Sequence, residues 1–200
     1  MNKKILHLLS QRPSRTGSGV TLDSIVRLAK LNGWQQRVVV GTPREDSHPE
    51  VGTLPAEQIS PLLFEQGELD FPVPGMSDVM PYRSTVWSTM TKEQLAQYEK
   101  SWRRHLNNIL QDFEPDIIHC HHIWLLSSLV KDLAPNIPVV NHCHATGLRQ
   151  MKLCPHLKER VIKGCRRNER FLVLHNEHAH QLTETLNVAA SRVQTIGAGF

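Results

Sequence analysis

The sequence has no apolar run approaching the roughly 20 residues that span a bilayer. Its opening, "MNKKILHLLSQRP", stops short of a secretory leader: the apolar stretch is only about five residues and no small-residue cleavage site follows. It reads as a first strand. Cysteine is scarce, four in 200 residues, too few for a disulfide scaffold, so a reducing, cytoplasmic compartment is expected. No paired C-x-x-C declares a zinc site. Charge is nearly balanced, with a net +4. That permits an anionic substrate or an acidic membrane surface without pointing to nucleic acid. The basic residues also lack interleaved aromatics, so no nucleic acid partner is expected. Internal repeats and low-complexity tracts are absent.

What the chain does contain is an alternation of strand and helix signals. "KKILHLL" is a short buried strand, and "RPSRTGSG" a loop. From about Val20, the residues Leu22, Ile25, Val26 and Ala29 follow the spacing of an amphipathic helix. Gly33 closes that helix as a C′ glycine. "QRVVVGT" carries three consecutive valines, the mark of a strand covered on both faces. Residues 43–90 are rich in Pro, Gly, Ser and Asp and read as a long irregular insertion with small edge strands. Helix resumes near Lys92, where Leu95, Tyr98, Trp102, Leu106 and Ile109 form an apolar stripe. "PDIIHC", "PVVNHC", "RFLVLH" and "RVQTIG" are further strands. "WLLSSLVKDLA" and "CPHLKERVIKGCRRN" are helices between them, and Asn176 is the expected cap of the next. The fold class is therefore α/β: a Rossmann-like, doubly wound, mainly parallel sheet with helices on both faces. Ligands of such sheets bind beyond the carboxyl ends of the strands.

Three strand ends carry candidate chemistry. "RTGSGV" places Gly17, Ser18 and Gly19 between a strand and a helix, where backbone N–H groups and the helix N-terminus favour an anion. The third glycine of a dinucleotide fingerprint is missing, since position 22 is Leu22, and no acid closes the second strand. Both departures argue against NAD. "HCHH" puts His119 and His121 on one strand face and Cys120 on the other. "NHCHATGLRQ" repeats the pattern with His142 and His144, followed by Thr146 and Gly147 as a pocket-shaping loop. The histidines are candidates for sugar-hydroxyl contacts, for acid–base work or for a metal. Cys165 shares a helical face with Leu157 and Val161 and belongs to the core. His156, Arg160, Lys163 and Arg167 line the opposite face, either solvated or in contact with phosphate or acidic lipid. Met76, Met80 and Tyr82 either line a pocket or pin a long loop.

In this order the motifs resemble a known family. The glycine loop, "DIIHCH", "VVNHCHATG" and the closing "VQTIGAGF" are similar to the N-terminal domain of group 1, family 4-type glycosyltransferases of GT-B fold. The resemblance implies two facing Rossmann-like domains, the first binding the acceptor and the second the nucleotide-sugar donor. It implies a glycan or glycolipid acceptor, retention of anomeric configuration, and no metal or other cofactor. Gly17, Ser18 and Gly19 would approach the donor phosphates, and His121 would match the active-site histidine near the reacting carbon. His144, Thr146 and Arg149 would lie on the acceptor side. The leaving phosphate would help take the acceptor's proton. By the same resemblance residues 1–196 form the acceptor domain and 197–200 begin a linker to a C-terminal donor domain, so the chain alone would be inactive. Attachment to the inner face of the cell membrane is compatible with this reading. The cysteines and His122 lie outside the family pattern and keep zinc open as an alternative. Two rival readings remain: half of a sugar-nucleotide epimerase, and a stand-alone metal- or ligand-binding domain.

Overall fold

Val38, Val39 and Val40 are all fully buried, which consecutive strand residues achieve only when both sheet faces are covered. The computed structural model, which describes residues 3–13 and 15–197, arranges the chain as such a sheet. Its strands are β1 (Lys4–Leu9), β2 (Gln35–Pro43), β3 (Ile59–Phe64), β4 (Ile117–His121), β5 (Val139–Cys143), β6 (Arg170–Val173) and β7 (Val193–Thr195). They are ordered β3-β2-β1-β4-β5-β6-β7, and every neighbouring pair is parallel. The expected mainly parallel sheet is wholly parallel. The strand order reverses between β1 and β4, which is where such sheets open a crevice.

The helices are α1 (Gly17–Leu31), α2 (Lys92–Phe113), α3 (Leu125–Leu133), α4 (Thr146–Leu153), α5 (Pro155–Cys165) and α6 (Asn176–Leu186). Leu9, Val38 and Val40 pack with Leu22 and Val26 of α1 on one face of the sheet. Leu6, Leu8, Ile118 and Cys120 pack on the other face, with residues of α2, α3, α5 and α6. The α2 stripe of Leu95, Tyr98, Trp102, Leu106 and Ile109 is buried throughout. Thr91 and Gln94 close its N-terminus as a reciprocal capping box. Cys165 packs in the same core as Leu157 and Val161. Gly164 marks the tightest crossing: a Cβ there would overlap the Ser128 carbonyl oxygen and lie 2.6 Å from Ser128 Cβ. No helix among the described residues is long and apolar enough to cross a membrane.

Three local expectations change. The first helix starts at Gly17, not near Val20, because Thr16 caps it by accepting the Gly19 N–H at 3.3 Å. Its C-cap is Asn32, which leaves Gly33 at C′ with φ +73°. Helix α6 is capped by His175, whose Nδ1 accepts the His178 N–H at 3.2 Å. Asn176 instead accepts from Thr195 Oγ1. The expected loop after "NHCHA" is helix α4. Within 43–90 the edge strand is β3, while Phe64, Phe71, Met76 and Trp87 enter the main core. Residues 198–200, most of the expected linker, lie outside the described residues.

Candidate functional site

Strand register assembles the site. His7 of β1 pairs with His119 of β4, and His121 of β4 pairs with His142 of β5. Paired residues of parallel strands share a face, and alternation keeps His119 with His121. The α1 side of the sheet centre is therefore paved with imidazoles where aliphatic residues would be usual. His7 Nδ1 lies 3.1 Å from His119 Nδ1. His121 and His142 stack at 5.6 Å between centroids, and His142 and His144 at 4.7 Å with rings 4° from parallel. His121 Nδ1 is 3.2 Å from His144 Nε2. His122 takes φ +67° as the chain leaves β4, an unusual conformation for a side-chain-bearing residue but one histidine tolerates better than most. Its Nδ1 meets Thr146 Oγ1 at 3.0 Å.

Burial sets the protonation of this group. It holds His7 down to about 4 and His144 down to about 3. It pushes His119, His121 and His122 well below the ordinary imidazole value and lowers His142 as well. All six are neutral at physiological pH. Neighbouring imidazoles add to the effect at His119, His121, His122 and His144, because a second positive ring is disfavoured. A ring so hard to protonate orients a hydroxyl rather than removing its proton. Burial also pushes the Cys120, Cys143 and Cys165 thiols up, so none is a poised nucleophile.

A cavity of about 800 Å³ opens over this pavement. His122, His142, His144 and Thr146 form part of its wall, with Gly17 and Ser18 from the first turn of α1. His122 Nε2 and both ring nitrogens of His142 are buried without a partner. Such groups are costly unless something meets them. Gly17 has open space where a Cβ would project, so internal packing does not require a glycine there.

The structure thus brings Gly17, Ser18, His144 and Thr146 to one cavity. Gly19 follows in the same turn, its N–H bound to Thr16. His121 stands off the cavity wall, against His142 and His144. Arg149 is exposed on α4 and is not part of the wall. Of the 75–82 segment, Met76 and Met80 line the cavity, while Tyr82 lies under the Arg12 guanidinium. The basic stripe is partly occupied: Arg160 pairs with Glu99, and Arg167 with Asp132 and the Lys131 carbonyl. Among the described residues no three or more His, Cys, Asp or Glu are arranged to hold a metal ion.

Two contributors escape sequence reading. Gln11 is 2% exposed. Its Nε2 donates to Ser18 Oγ at 2.8 Å and Thr16 Oγ1 at 3.0 Å, and its Oε1 accepts the Met76 N–H at 3.1 Å. It ties the first turn of α1 to the 75–82 segment. Gln36 does similar work beneath the pavement, bonding His7. A glutamine of β2 and one just past β1 carry no motif; only the fold joins them to the site.

The chain was compared with known proteins. Residues 16–200 match the family described as Glycosyltransferase Family 4. A comparison with curated proteins found no match. Among solved structures, the N-terminal domain of trehalose-6-phosphate phosphatase from Candida albicans superposes at TM-score 0.61 and 12% identity over 98% of this chain. The UDP-GlcNAc 2-epimerase of Methanocaldococcus jannaschii gives 0.59 and 10% over 97%. Sucrose-phosphate synthase from Thermosynechococcus elongatus gives 0.56 and 12% over 98%. The chain covers 48%, 45% and 48% of those chains, a little under half of each. At such identities the likeness shows the shared Rossmann-like fold. The match over residues 16–200 shows more: the chain belongs to glycosyltransferase family 4.

Proposed function

We propose that this chain is the acceptor-side half of a retaining glycosyltransferase that moves a sugar from a nucleotide-sugar to a glycan or glycolipid. One observation carries the reading: the N-terminus of α1 and a set of neutral, partly unpartnered histidines open into the same cavity. A helix N-terminus suits the donor's phosphates, and Gly17 and Ser18 let them approach the backbone. Neutral imidazoles suit sugar hydroxyls, which need hydrogen bonds rather than charge. His144 and His142 hold the transferring sugar and the acceptor hydroxyl. His121 acts by orienting His144, and Thr146 by orienting His122. Arg149 serves an acceptor only if that acceptor extends beyond the cavity.

The acceptor oxygen bonds to the anomeric carbon as the bond from that carbon to the phosphate oxygen breaks. The acceptor's proton passes to the departing phosphate, because the histidines are too weakly basic to take it. A second domain following residue 200 supplies the nucleotide's contacts, and the present chain alone transfers nothing. No metal or other cofactor takes part. The protein works in the cytoplasm, and Lys158 and Lys163, exposed on α5, give it a weak hold on an acidic membrane surface.

The test is a donor and acceptor panel on the full-length protein, with products read by NMR. Transfer with retained anomeric configuration is expected, and His144→Ala lowers kcat/KM roughly tenfold or more. Epimerisation of the sugar-nucleotide without any acceptor would replace this reading with the epimerase one.

A further inference from the structure

The cavity wall is divided by polarity. Its imidazoles stand together, with Gln11, Thr16 and Ser18 at the first turn of α1, while the hydroxyls farther along α1, Thr21 and Ser24, donate back to the Gly17 and Val20 carbonyls. Beside these groups the wall is mainly aliphatic: Val20, Ile25 and Leu28 come from α1, Val79 and Met80 from the 75–82 segment along with Ser77, and Leu174 and Ile196 complete it. The large apolar side chains exposed among the described residues are Val20 (59%), Leu28 (58%), Leu31 (82%), Val79 (86%), Leu153 (40%) and Ile196 (43%). Four of these six line this one cavity: Val20, Leu28, Val79 and Ile196. Scattered exposed apolar residues need no explanation, but a cluster does. The described wall also holds no Asp, Glu or Asn and no Phe, Tyr or Trp. A free oligosaccharide extending past the pavement would meet mostly aliphatic side chains there.

We propose that the acceptor taken by this cleft is amphiphilic, a hydroxyl-bearing head joined to an alkyl chain or other apolar body. The head meets the histidine pavement, and the apolar body lies between α1 and the 75–82 segment. This rests on the glycosyl-transfer reading for which end reacts. The cavity volume of about 800 Å³ is ample for a sugar and a chain of several carbons together. The 75–82 segment is fastened at its base, where Gln11 accepts the Met76 N–H and Gly75 donates to the Thr85 carbonyl. Its tip, Val79, is 86% exposed and lines the cavity, where an apolar guest would cover it.

The test measures binding of methyl, butyl, hexyl and octyl β-glucosides to the full-length protein by calorimetry, below their micelle concentrations. Affinity is expected to rise about threefold per added methylene. That gain should shrink at least tenfold at octyl in Val79→Asp and in Leu28→Asp, and persist in Val79→Leu. Both aspartates sit at exposed positions, so the fold should survive, and circular dichroism checks it. Affinity that is flat along the series overturns the proposal. So does a rise that the aspartate variants leave untouched, since the chain would then be binding elsewhere. A flat series together with a mass change in Val79→Asp would mean that a second copy or domain covers the apolar wall, and also overturns it. Sugar transfer measured in parallel separates the two readings. Transfer with a flat series sinks the amphiphilic acceptor alone. Chain-length dependence with no turnover of any nucleotide-sugar sinks the transferase reading and leaves the apolar cleft standing.

Discussion

His7 and His119 face each other across adjacent strands, Nδ1 to Nδ1 at 3.1 Å, and only one of those nitrogens carries the proton. Gln36 decides which. Its Nε2 donates to the Val26 carbonyl at 3.0 Å, which turns Oε1 toward His7. His7 therefore donates from Nε2, and its Nδ1 accepts from His119. His119 is left with a bare Nε2 that has no partner. A chain of bonds running from α1 through β2 and β1 thus fixes a tautomer in β4. A proton added to His7 would set two N–H groups against each other, which is why burial and neutrality go together here.

The pavement makes stability fall with acid. The sign follows from the shifts. His7, His119, His121, His122, His142 and His144 all have native values below the ordinary 6.5. Below about pH 6.5 the unfolded chain therefore binds more protons than the native one, and stability is lost as pH falls. The loss continues toward about 4 for His7 and about 3 for His144. Each histidine contributes up to about 1.4 kcal/mol of loss between pH 7.5 and 5.5. Urea unfolding at the two pH values should show several kcal/mol of difference, a large part of a typical domain's stability. Equal midpoints would mean that the imidazoles are solvated and the pavement is not buried.

Gly17→Ala separates fold from function. Nothing lies within 4 Å of a Cβ placed there, and alanine favours helix over glycine by up to about 1 kcal/mol. Thermal melts should show a Tm unchanged or slightly raised. Turnover of the nucleotide-sugar by the full-length protein should fall, because the methyl group occupies the approach to the backbone N–H groups. A variant that is both stable and fully active would remove this turn from the phosphate site.

Much of this architecture was legible beforehand because apolar spacing reports burial directly. The α2 stripe and the valines of β2 are examples. The histidine strand ends were also legible, since alternation fixes which side chains share a face. What was hidden depends on contacts distant in sequence. Gln11 and Met76 are far apart in the chain, and nothing local marks either as half of a bond. The true start of α1 was masked by two glycines that local propensity counts against helix, while Thr16 offsets them as a cap. The placement of His121 off the cavity wall could not be read from its spacing. Alternation gives the face of a strand but not which ring on that face lies outermost.

Gly164 is a structural glycine, with the opposite signature to Gly17. A Cβ there collides with backbone atoms of α3, which cannot swing aside as a side chain would. Gly164→Ala should cost about 1–3 kcal/mol, read as a lower urea midpoint, despite alanine's better helix propensity. If the variant is stabilised instead, α3 and α5 do not cross this closely.

Gln11→Ala should loosen the cavity without unfolding the protein. It removes three hydrogen bonds at once, to Thr16, Ser18 and Met76. Thr16 and Ser18 still have each other, their oxygens 3.0 Å apart, so α1 keeps its cap. The Met76 N–H has no such alternative and becomes a buried donor without a partner, at a cost of about 1–3 kcal/mol. Trp87 and Tyr98 in the core keep their own ring contacts with Trp124 and Trp102. Hydrogen exchange should therefore quicken roughly tenfold or more in residues 75–82, with α2 and the central strands unchanged. Exchange that quickens everywhere would make Gln11 a general support of the fold. Exchange that stays slow at Met76 would show that the 75–82 segment is held by its own packing.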